Sequence, residues 1–164
     1  MHCRGLVRYL LLDRILHLER YVEIVAIKNV TLSEDIYNEH FLGFPVMPGA
    51  LLIECLAQAG TALLEVSNNY QKKALLILVD QAKFRALVRP GDQLLIKGKL
   101  ISNGEDSAQM DGTAGIGDKI VMSGRLTFGL KNAEEFYTPK TRFLVESMYD
   151  VWLKGAELLG FEDL

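Results

Sequence analysis

The residues best suited to chemistry are a histidine and a glutamate on either side of a Pro-Gly step. Between Phe41 and Leu64 the only side chain charged at neutral pH is Glu54, and its nearest helical neighbours are apolar. A carboxyl group removed from water favours its protonated form, so Glu54 is predicted to donate a proton near neutral pH. His40 stands directly before this run, and an imidazole titrates close to neutral pH. The pair therefore predicts general acid–base catalysis.

Each of these residues also has an ordinary structural explanation. Gln58 lies one helical turn after Glu54 and can satisfy its carboxylate by a hydrogen bond. A loop histidine such as His40 is a surface residue in most proteins. The other histidines, His2 near the start and His17 on a predicted strand, suit surface positions as well. The pattern of residues alone leaves both interpretations open.

The Pro48-Gly49-Ala50 step adds a third element of a possible site. The first amides of a helix lack intrahelical partners and carry a partial positive charge. Glycine lets a ligand approach that backbone closely. Such a helix start can bind a thioester carbonyl and stabilise the enolate formed when the neighbouring carbon loses its proton. Gly49 is equally explained as a simple turn residue.

The elements that must position these residues follow an α+β order. Two strands precede a loop over 31–44, an apolar helix over 50–66 follows Pro48, and three or four further strands come after it. This order predicts a sheet wrapped around a buried central helix. The prolines, glycines, Glu54 and Gln58 in the apolar run favour a core helix over a membrane span. The predicted strands lie at 10–18, 21–30, 74–87, 92–102, 107–118 and 119–130.

Length and composition indicate one ordinary globular unit. The chain has 164 residues and a formal net charge of -3, which makes nucleic acid a poor candidate partner. Cys3 and Cys55 form neither a disulfide framework nor a zinc motif, and Cys55 reads as a small buried hydrophobe. No secretory signal is evident, so a reducing cytosol is the simplest compartment.

The segment after residue 130 differs in character from the rest of the chain. Pro139 interrupts it, and residues 141–161 predict an amphipathic helix. We expect this helix to dock on the body of the protein or on a neighbouring subunit, with a lid or partner-binding role as the alternative. The predicted organisation is therefore a main domain over 1–130 and a helical C-terminal extension over 131–164.

The stretch from His40 to Gln58 resembles the signature of bacterial 3-hydroxyacyl-(acyl-carrier-protein) dehydratases of the FabZ type, in the FabZ/FabA hotdog family. That signature runs His-Phe-Pro-Gly-x-Pro-x-Met-Pro-Gly, then three or four apolar residues, Glu, two residues and Ala-Gln. Here the chain reads HFLGFPVMPGALLIECLAQ. The resemblance extends over roughly residues 9 to 130, with the histidine, glycine and glutamate at the family spacing.

The resemblance implies a hotdog fold and a homodimer or trimer of dimers, with active sites at the dimer interface. His40 of one subunit would then remove the C2 proton of a 3-hydroxyacyl thioester, and Glu54 of the other would help the C3 hydroxyl leave as water. The Gly49 amide would hold the thioester carbonyl. The substrate would be carried on the phosphopantetheine arm of acyl carrier protein, with no metal, redox cofactor or membrane involved. Further substrate contacts are expected from Phe41, Met47, Pro48 and Gln58.

The sequence departs from the family signature at several positions. Leu42 replaces a proline, Glu39 a glycine and Phe44 a common arginine, and the usual segment before residue 9 is replaced by residues 4–8. These departures bear on chain-length specificity, carrier docking and turnover.

Basic residues are expected where an acidic carrier protein docks. Lys83, Arg85 and Arg89 alternate with apolar residues on one predicted strand and would form this surface. An ordinary solvated strand face is the alternative.

Two other functions remain open beside the dehydratase. A hotdog thioesterase also uses a carboxylate on its central helix, but directs water at the carbonyl and liberates a thiol. A non-catalytic acyl-carrier-binding subunit would bind acyl carriers without hydrating enoyl thioesters. The spacing of His40, Gly49 and Glu54 favours dehydration.

Overall fold

A computed structural model describes residues 9–38 and 40–161 of the chain. Seven strands form one sheet in the order β3-β6-β5-β4-β2-β1-β7, antiparallel except for the pairing of β1 with β7. The elements are β1 (Arg14–Glu19), β2 (Glu23–Asn29), α1 (Gly49–Ser67), β3 (Lys72–Phe84), β4 (Gln93–Asn103), β5 (Ser107–Ile116), β6 (Lys119–Asn132), α2 (Pro139–Leu153) and β7 (Glu157–Leu159), with short 3-10 helices at Asp35–Asn38 and Ala133–Glu135.

The central helix α1 lies in the concave face of the sheet. It packs against β2 through β6, and most of its apolar side chains are fully buried. Gly60 permits this close packing, since a Cβ at that position would overlap the ring of Phe128 on β6. By length and composition α1 is apolar enough to cross a membrane, but 67% of that window is buried inside the fold. The predicted α+β architecture around a core helix is confirmed.

Cys55 sits inside this core as a free thiol. Burial raises the pKa of the Cys55 thiol to about 12, so the sulfur stays protonated and behaves as a small apolar group. Cys3, His2, Glu39 and residues 4–8 lie outside the described residues, and so do the predictions made for them.

The elements predicted before the central helix need two corrections. The first strand begins at Arg14 rather than at residue 10, because the amide of Leu11 is bonded by the Gln58 side chain instead of a neighbouring strand. The predicted loop after β2 contains the 3-10 helix Asp35–Asn38.

The C-terminal segment is not one helix over 141–161. Thr138 caps α2 by accepting a hydrogen bond from the amide of Thr141, and α2 ends at Leu153. Gly155 then adopts φ +80°, a left-handed conformation that glycine favours, and the chain turns into β7 beside β1. Tyr149 and Trp152 of α2 belong to the same buried core as α1. The prediction that this helix packs on the body of the protein is confirmed.

One edge of the sheet is long and apolar. The edge strand β3 has an unpaired side, and the described part of the chain leaves most of its side chains exposed. Leu76, Ile77 and Leu78 are among the exposed large hydrophobic residues. A free edge with these side chains is a template for pairing with another strand.

Candidate functional site

The loop that carries His40 is tied to the sheet by a buried ion pair. The Nζ of Lys28 on β2 lies 2.7 Å from Oε1 of Glu34, and the Lys28 side chain is almost completely buried. The same Glu34 oxygen accepts a hydrogen bond from the amide of Thr31 at 3.3 Å. Because a buried charge is costly without its partner, this pair fixes the start of the loop.

His40 is half-buried at the end of that loop. Its amide donates to the carbonyl of Ile36 at 3.2 Å, and its carbonyl accepts from the amide of Val46 at 3.1 Å. The imidazole stacks on the ring of Phe41, with the centroids 4.2 Å apart. Both backbone bonds and the stacking fix the direction in which the ring points.

A tight turn follows His40 and projects from the surface. Phe41 and Phe44 exchange backbone hydrogen bonds of 3.2 and 2.9 Å, and Gly43 between them has φ +75°. Leu42 at the tip is 91% exposed. Phe44, at a position where an arginine is common in the family, stacks on the guanidinium of Arg89, 4.0 Å from its ring centroid. The turn therefore still carries a cationic group, the Arg89 guanidinium, which is held by Phe44.

The start of α1 is held by backbone bonds rather than by a side-chain cap. The amide of Met47 donates to the carbonyl of Val88 at 2.8 Å, and Pro48 occupies the capping position without a side-chain hydrogen bond. The Gly49 amide has no intrahelical acceptor at this first position. A Cβ on Gly49 would lie 3.0 Å from the ring of Phe84, so a larger residue would displace that ring.

The predicted burial of Glu54 among apolar side chains is only partial within one chain. Glu54 is half-buried in the single chain, because the face of α1 that carries it is only partly covered. Its Oε1 accepts a hydrogen bond of 2.9 Å from Nε2 of Gln58, the neighbour one turn later. Gln58 is itself fixed, since it donates to the carbonyl of Tyr9 and accepts from the amide of Leu11. Gln58 thus orients the Glu54 carboxylate.

The deeply buried acid of α1 is Glu65, which sequence reasoning missed. Its side chain is 2% exposed, 2.7 Å from Nζ of Lys73, and its carboxylate accepts from the Tyr149 hydroxyl at 2.8 Å and the Ala74 amide at 3.2 Å. Burial lowers the pKa of Lys73, but the attraction of Glu65 outweighs it, and the pKa lies above its ordinary value. Glu65 follows Glu54 by eleven residues, about three helical turns, so the two share one face.

A cavity of about 360 Å³ runs along this shared face of α1. It begins beside Glu54 and Gln58 and reaches the side chains around Tyr149 on α2. The lining residues are Leu10, Glu54, Ala57, Gln58, Thr61, Lys73, Ala74, Leu75, Leu76, Met148, Tyr149 and Trp152. A mainly apolar pocket with a carboxylate in its lining suits a ligand that has an apolar chain and a polar end.

The remaining site residues predicted from the sequence lie in different surroundings. Phe41 is exposed and covers the His40 ring, whereas Met47 is buried in the core and Pro48 is half-buried at the helix start. His17, expected at the surface, is half-buried on β1 with its Nδ1 3.0 Å from a Glu157 oxygen. The predicted approach of His40 to Glu54 involves two subunits and stays a prediction.

The three basic residues are not on one strand. Lys83 lies near the end of β3, Arg85 follows the strand and donates to the Ser123 hydroxyl at 2.8 Å, and Arg89 lies in the next loop against Phe44. The predicted alternation is wrong because β3 ends at Phe84. Lys83 and Arg85 line one shallow surface depression, and Arg89 belongs to the turn after His40.

Comparison with protein families matches residues 7–125 to the FabA-like domain. This range contains the His40 loop, α1 and the strands β1 to β5, and it ends before α2.

Two curated relatives share one description. A protein of Koribacter versatilis, described as 3-hydroxyacyl-acyl-carrier-protein dehydratase FabZ, is 44% identical over 113 residues, which are 68% of this chain and 72% of the relative. A protein of Halalkalibacterium halodurans with the same description is 40% identical over 124 residues, 75% of this chain and 89% of the relative.

Solved structures with the same fold are more distant in sequence. The dehydratase heterocomplex ApeI:P of Xenorhabdus doucetiae matches with a TM-score of 0.62 at 17% identity, over 84% of this chain and 89% of the other. A Streptococcus mutans protein bound to acetyl CoA matches with a TM-score of 0.61 at 17% identity, over 80% and 98%. The predicted hotdog fold is confirmed by these neighbours.

Proposed function

Because the chain belongs to the FabA-like family, we propose that it dehydrates 3-hydroxyacyl thioesters of acyl carrier protein to trans-2-enoyl thioesters in fatty acid or related acyl synthesis. The observation that carries this proposal is the arrangement around the start of α1. His40, the Gly49 amide and Glu54 keep the family spacing, and Gln58 orients the Glu54 carboxylate beside an apolar cavity.

The reaction needs one base and one acid. His40 takes the C2 proton, and the Gly49 amide stabilises the negative charge that develops on the thioester oxygen. Protonated Glu54 gives its proton to the C3 hydroxyl, the C3–O bond breaks, and water leaves as the C2–C3 double bond forms. His40 then holds one extra proton and Glu54 lacks one, so a proton transfer restores the enzyme. Reversal of these steps hydrates an enoyl thioester.

A second copy of the chain completes the site in this proposal. The exposed apolar edge of β3 supports pairing with another β3, which would form a homodimer with a continuous sheet. His40 of one copy then meets Glu54 of the other. A trimer of such dimers is the larger assembly to look for, and light scattering of the purified protein distinguishes the two.

The carrier protein is proposed to dock near the His40 turn. Arg89 is held against Phe44 at this turn, and Lys83 and Arg85 line a separate surface depression at the end of β3. Their positive charge suits an acidic carrier and would act mainly on the rate of encounter. A cytosolic reaction is part of the same proposal, in keeping with the free Cys55 thiol.

A hydration assay with a crotonyl thioester tests the proposal. We expect loss of enoyl absorbance with the wild type, and the His40→Ala variant should be slower by about two to four orders of magnitude. The His17→Ala variant is the matched control, because His17 lies on β1 among carboxylates and outside the proposed site. Equal activity of the wild type and His40→Ala would refute the assignment.

Measurement of thiol release addresses the thioesterase alternative. One solved structure of the same fold is described as a hypothetical thioesterase protein with Coenzyme A from Streptococcus pneumoniae, with a TM-score of 0.58 at 18% identity, over 73% of this chain and 85% of that chain. A dehydratase changes enoyl absorbance and leaves the thioester intact, whereas a thioesterase liberates thiol. Binding of acyl carriers with neither reaction would indicate a non-catalytic subunit.

A further inference from the structure

The C-terminal helix α2 lines the part of the cavity that lies away from Glu54 along α1. From Glu54 to Thr61 the cavity follows seven residues of α1, about 10 Å along the helix axis. The start of β3 lines it as well, together with Met148, Tyr149 and Trp152 of α2. The Tyr149 hydroxyl donates to Glu65, which lies about three turns along α1 from Glu54, so α2 forms the wall at that end. An acyl chain that enters beside Glu54 would therefore run along α1 and meet α2.

This end wall is fixed by more than contact between apolar side chains. Tyr149 is buried, and its hydroxyl donates to Glu65 at 2.8 Å. Its ring packs between Tyr70 and Trp152, with centroid distances of 5.5 and 5.7 Å. To move the wall, an acyl chain would have to break a buried hydrogen bond to a charged group, which costs more than a neutral one.

The wall is also polar behind its apolar surface. Lys73 lines the cavity and pairs with Glu65 at 2.7 Å. A longer acyl chain would place its methyl end against this ion pair and remove water from it without supplying a hydrogen bond. Both the position and the chemistry of the wall therefore oppose long acyl chains.

The wall belongs to a part of the chain that the family comparison does not match. The FabA-like match ends at residue 125, and α2 begins at Pro139. We propose that α2 sets the acyl-length limit of this protein and restricts it to short 3-hydroxyacyl chains. This inference rests on the proposed function, since it takes the acyl chain to enter beside Glu54.

The test measures binding as a function of chain length. Isothermal titration uses unreactive pantetheine amides carrying butanoyl, hexanoyl, octanoyl and dodecanoyl chains. The wild type is expected to bind the short members and to lose at least about tenfold in affinity at dodecanoyl, because each misfitted methylene in a tight pocket costs about tenfold or more. Hydration of the matching trans-2-enoyl thioesters is recorded in parallel.

Three variants locate the limit. Met148→Ala removes a half-buried side chain from the wall and should improve octanoyl relative to butanoyl binding by about tenfold. Thr61→Leu fills the cavity and should weaken hexanoyl more than butanoyl binding. Val151→Ala is the control, because Val151 lies on the same helix but is 69% exposed and outside the cavity lining.

The outcomes separate this inference from the proposed function. Equal wild-type affinity for hexanoyl and dodecanoyl chains overturns the inference, and so does an unchanged length profile in a folded Met148→Ala protein. A length profile that shifts with Met148→Ala and Thr61→Leu supports it, whether or not hydration occurs. If the wild type binds in a length-dependent way but does not hydrate enoyl thioesters, the dehydratase assignment is overturned and the inference about α2 stands.

Discussion

The two glutamates on one face of α1 differ in their exposure and in the groups that bond them. Glu54 is half-buried, and in the described part of the chain its carboxylate is bonded by a neutral amide, that of Gln58. Glu65, three turns later, is 2% exposed and is bonded by an ammonium group, a phenol and a backbone amide. Glu54 lines the cavity, whereas Glu65 lies behind its wall and is bonded to the lining residues Lys73 and Tyr149.

The difference favours one of the two acids as the group available for chemistry. A carboxylate that pairs with a cation and accepts from two further donors has most of its acceptor capacity used within the fold and has a structural role. A carboxylate with one neutral donor keeps acceptor capacity that a substrate hydroxyl can use. The more exposed glutamate is therefore the catalytic candidate, and the more buried one holds α1, β3 and α2 together.

The largest expected effect is on turnover by Glu54. Glu54→Gln keeps the shape of the side chain but removes its acid, so hydration of a crotonyl thioester should fall by about two to four orders of magnitude. Glu65→Gln should lower turnover far less, since Glu65 is not placed to reach the substrate. Steady-state kinetics of the two purified variants compares them, and a similar loss in both would remove the distinction.

The second largest expected effect is on stability. Here Glu65→Gln, and not Glu54→Gln, should cause the larger loss. Glu65→Gln leaves the half-buried Lys73 ammonium without its counter-charge and disturbs the buried bond from the Tyr149 hydroxyl, so the free energy of unfolding should fall by about 3–5 kcal/mol. Glu54→Gln should change it by less than about 0.5 kcal/mol, as expected for a partly exposed position. Urea unfolding followed by circular dichroism measures both. A larger loss of stability in Glu54→Gln than in Glu65→Gln would contradict the structural role that we assign to Glu65.

A smaller effect is expected at Gln58, which links Glu54 to the segment before β1. Gln58→Met leaves the amide of Leu11 and the carbonyl of Tyr9 without this partner, at a cost of about 1–3 kcal/mol in stability. Turnover should fall as well, because Glu54 loses the donor that orients it. The affected quantity is kcat rather than KM, which a full kinetic analysis distinguishes.

The smallest effect is a loss of stability at alkaline pH from the Glu65 cluster. The pKa of Lys73 lies above 10.5, and burial followed by the charge of Glu65 holds the pKa of Tyr149 well above 10.0. Both groups keep their protons longer in the folded state than in the unfolded chain. Their contribution is complete below pH 10 and is lost as pH rises through the folded pKa values. Unfolding from pH 8 to 11 should show this decline in the wild type and less of it in Lys73→Met.

Much of the fold was predictable because it depends on local patterns. The apolar run after Pro48 predicts the core helix, and the strand order predicts the sheet around it. The end of the C-terminal helix was not predictable in the same way. Leu158 and Leu159 continue an apolar pattern in sequence, but Gly155 ends the helical path and the backbone of β7 pairs with β1 instead.

The sequence by itself determined the α+β class, the membership motif and the identity of His40, Gly49 and Glu54 as candidates, because residue type and spacing along one chain are sufficient for these. Only the tertiary structure decided which glutamate is buried and what closes the cavity. Burial depends on what packs against a side chain from elsewhere, and the groups that surround Glu65 come from β3 and from α2, the latter 84 residues away at Tyr149.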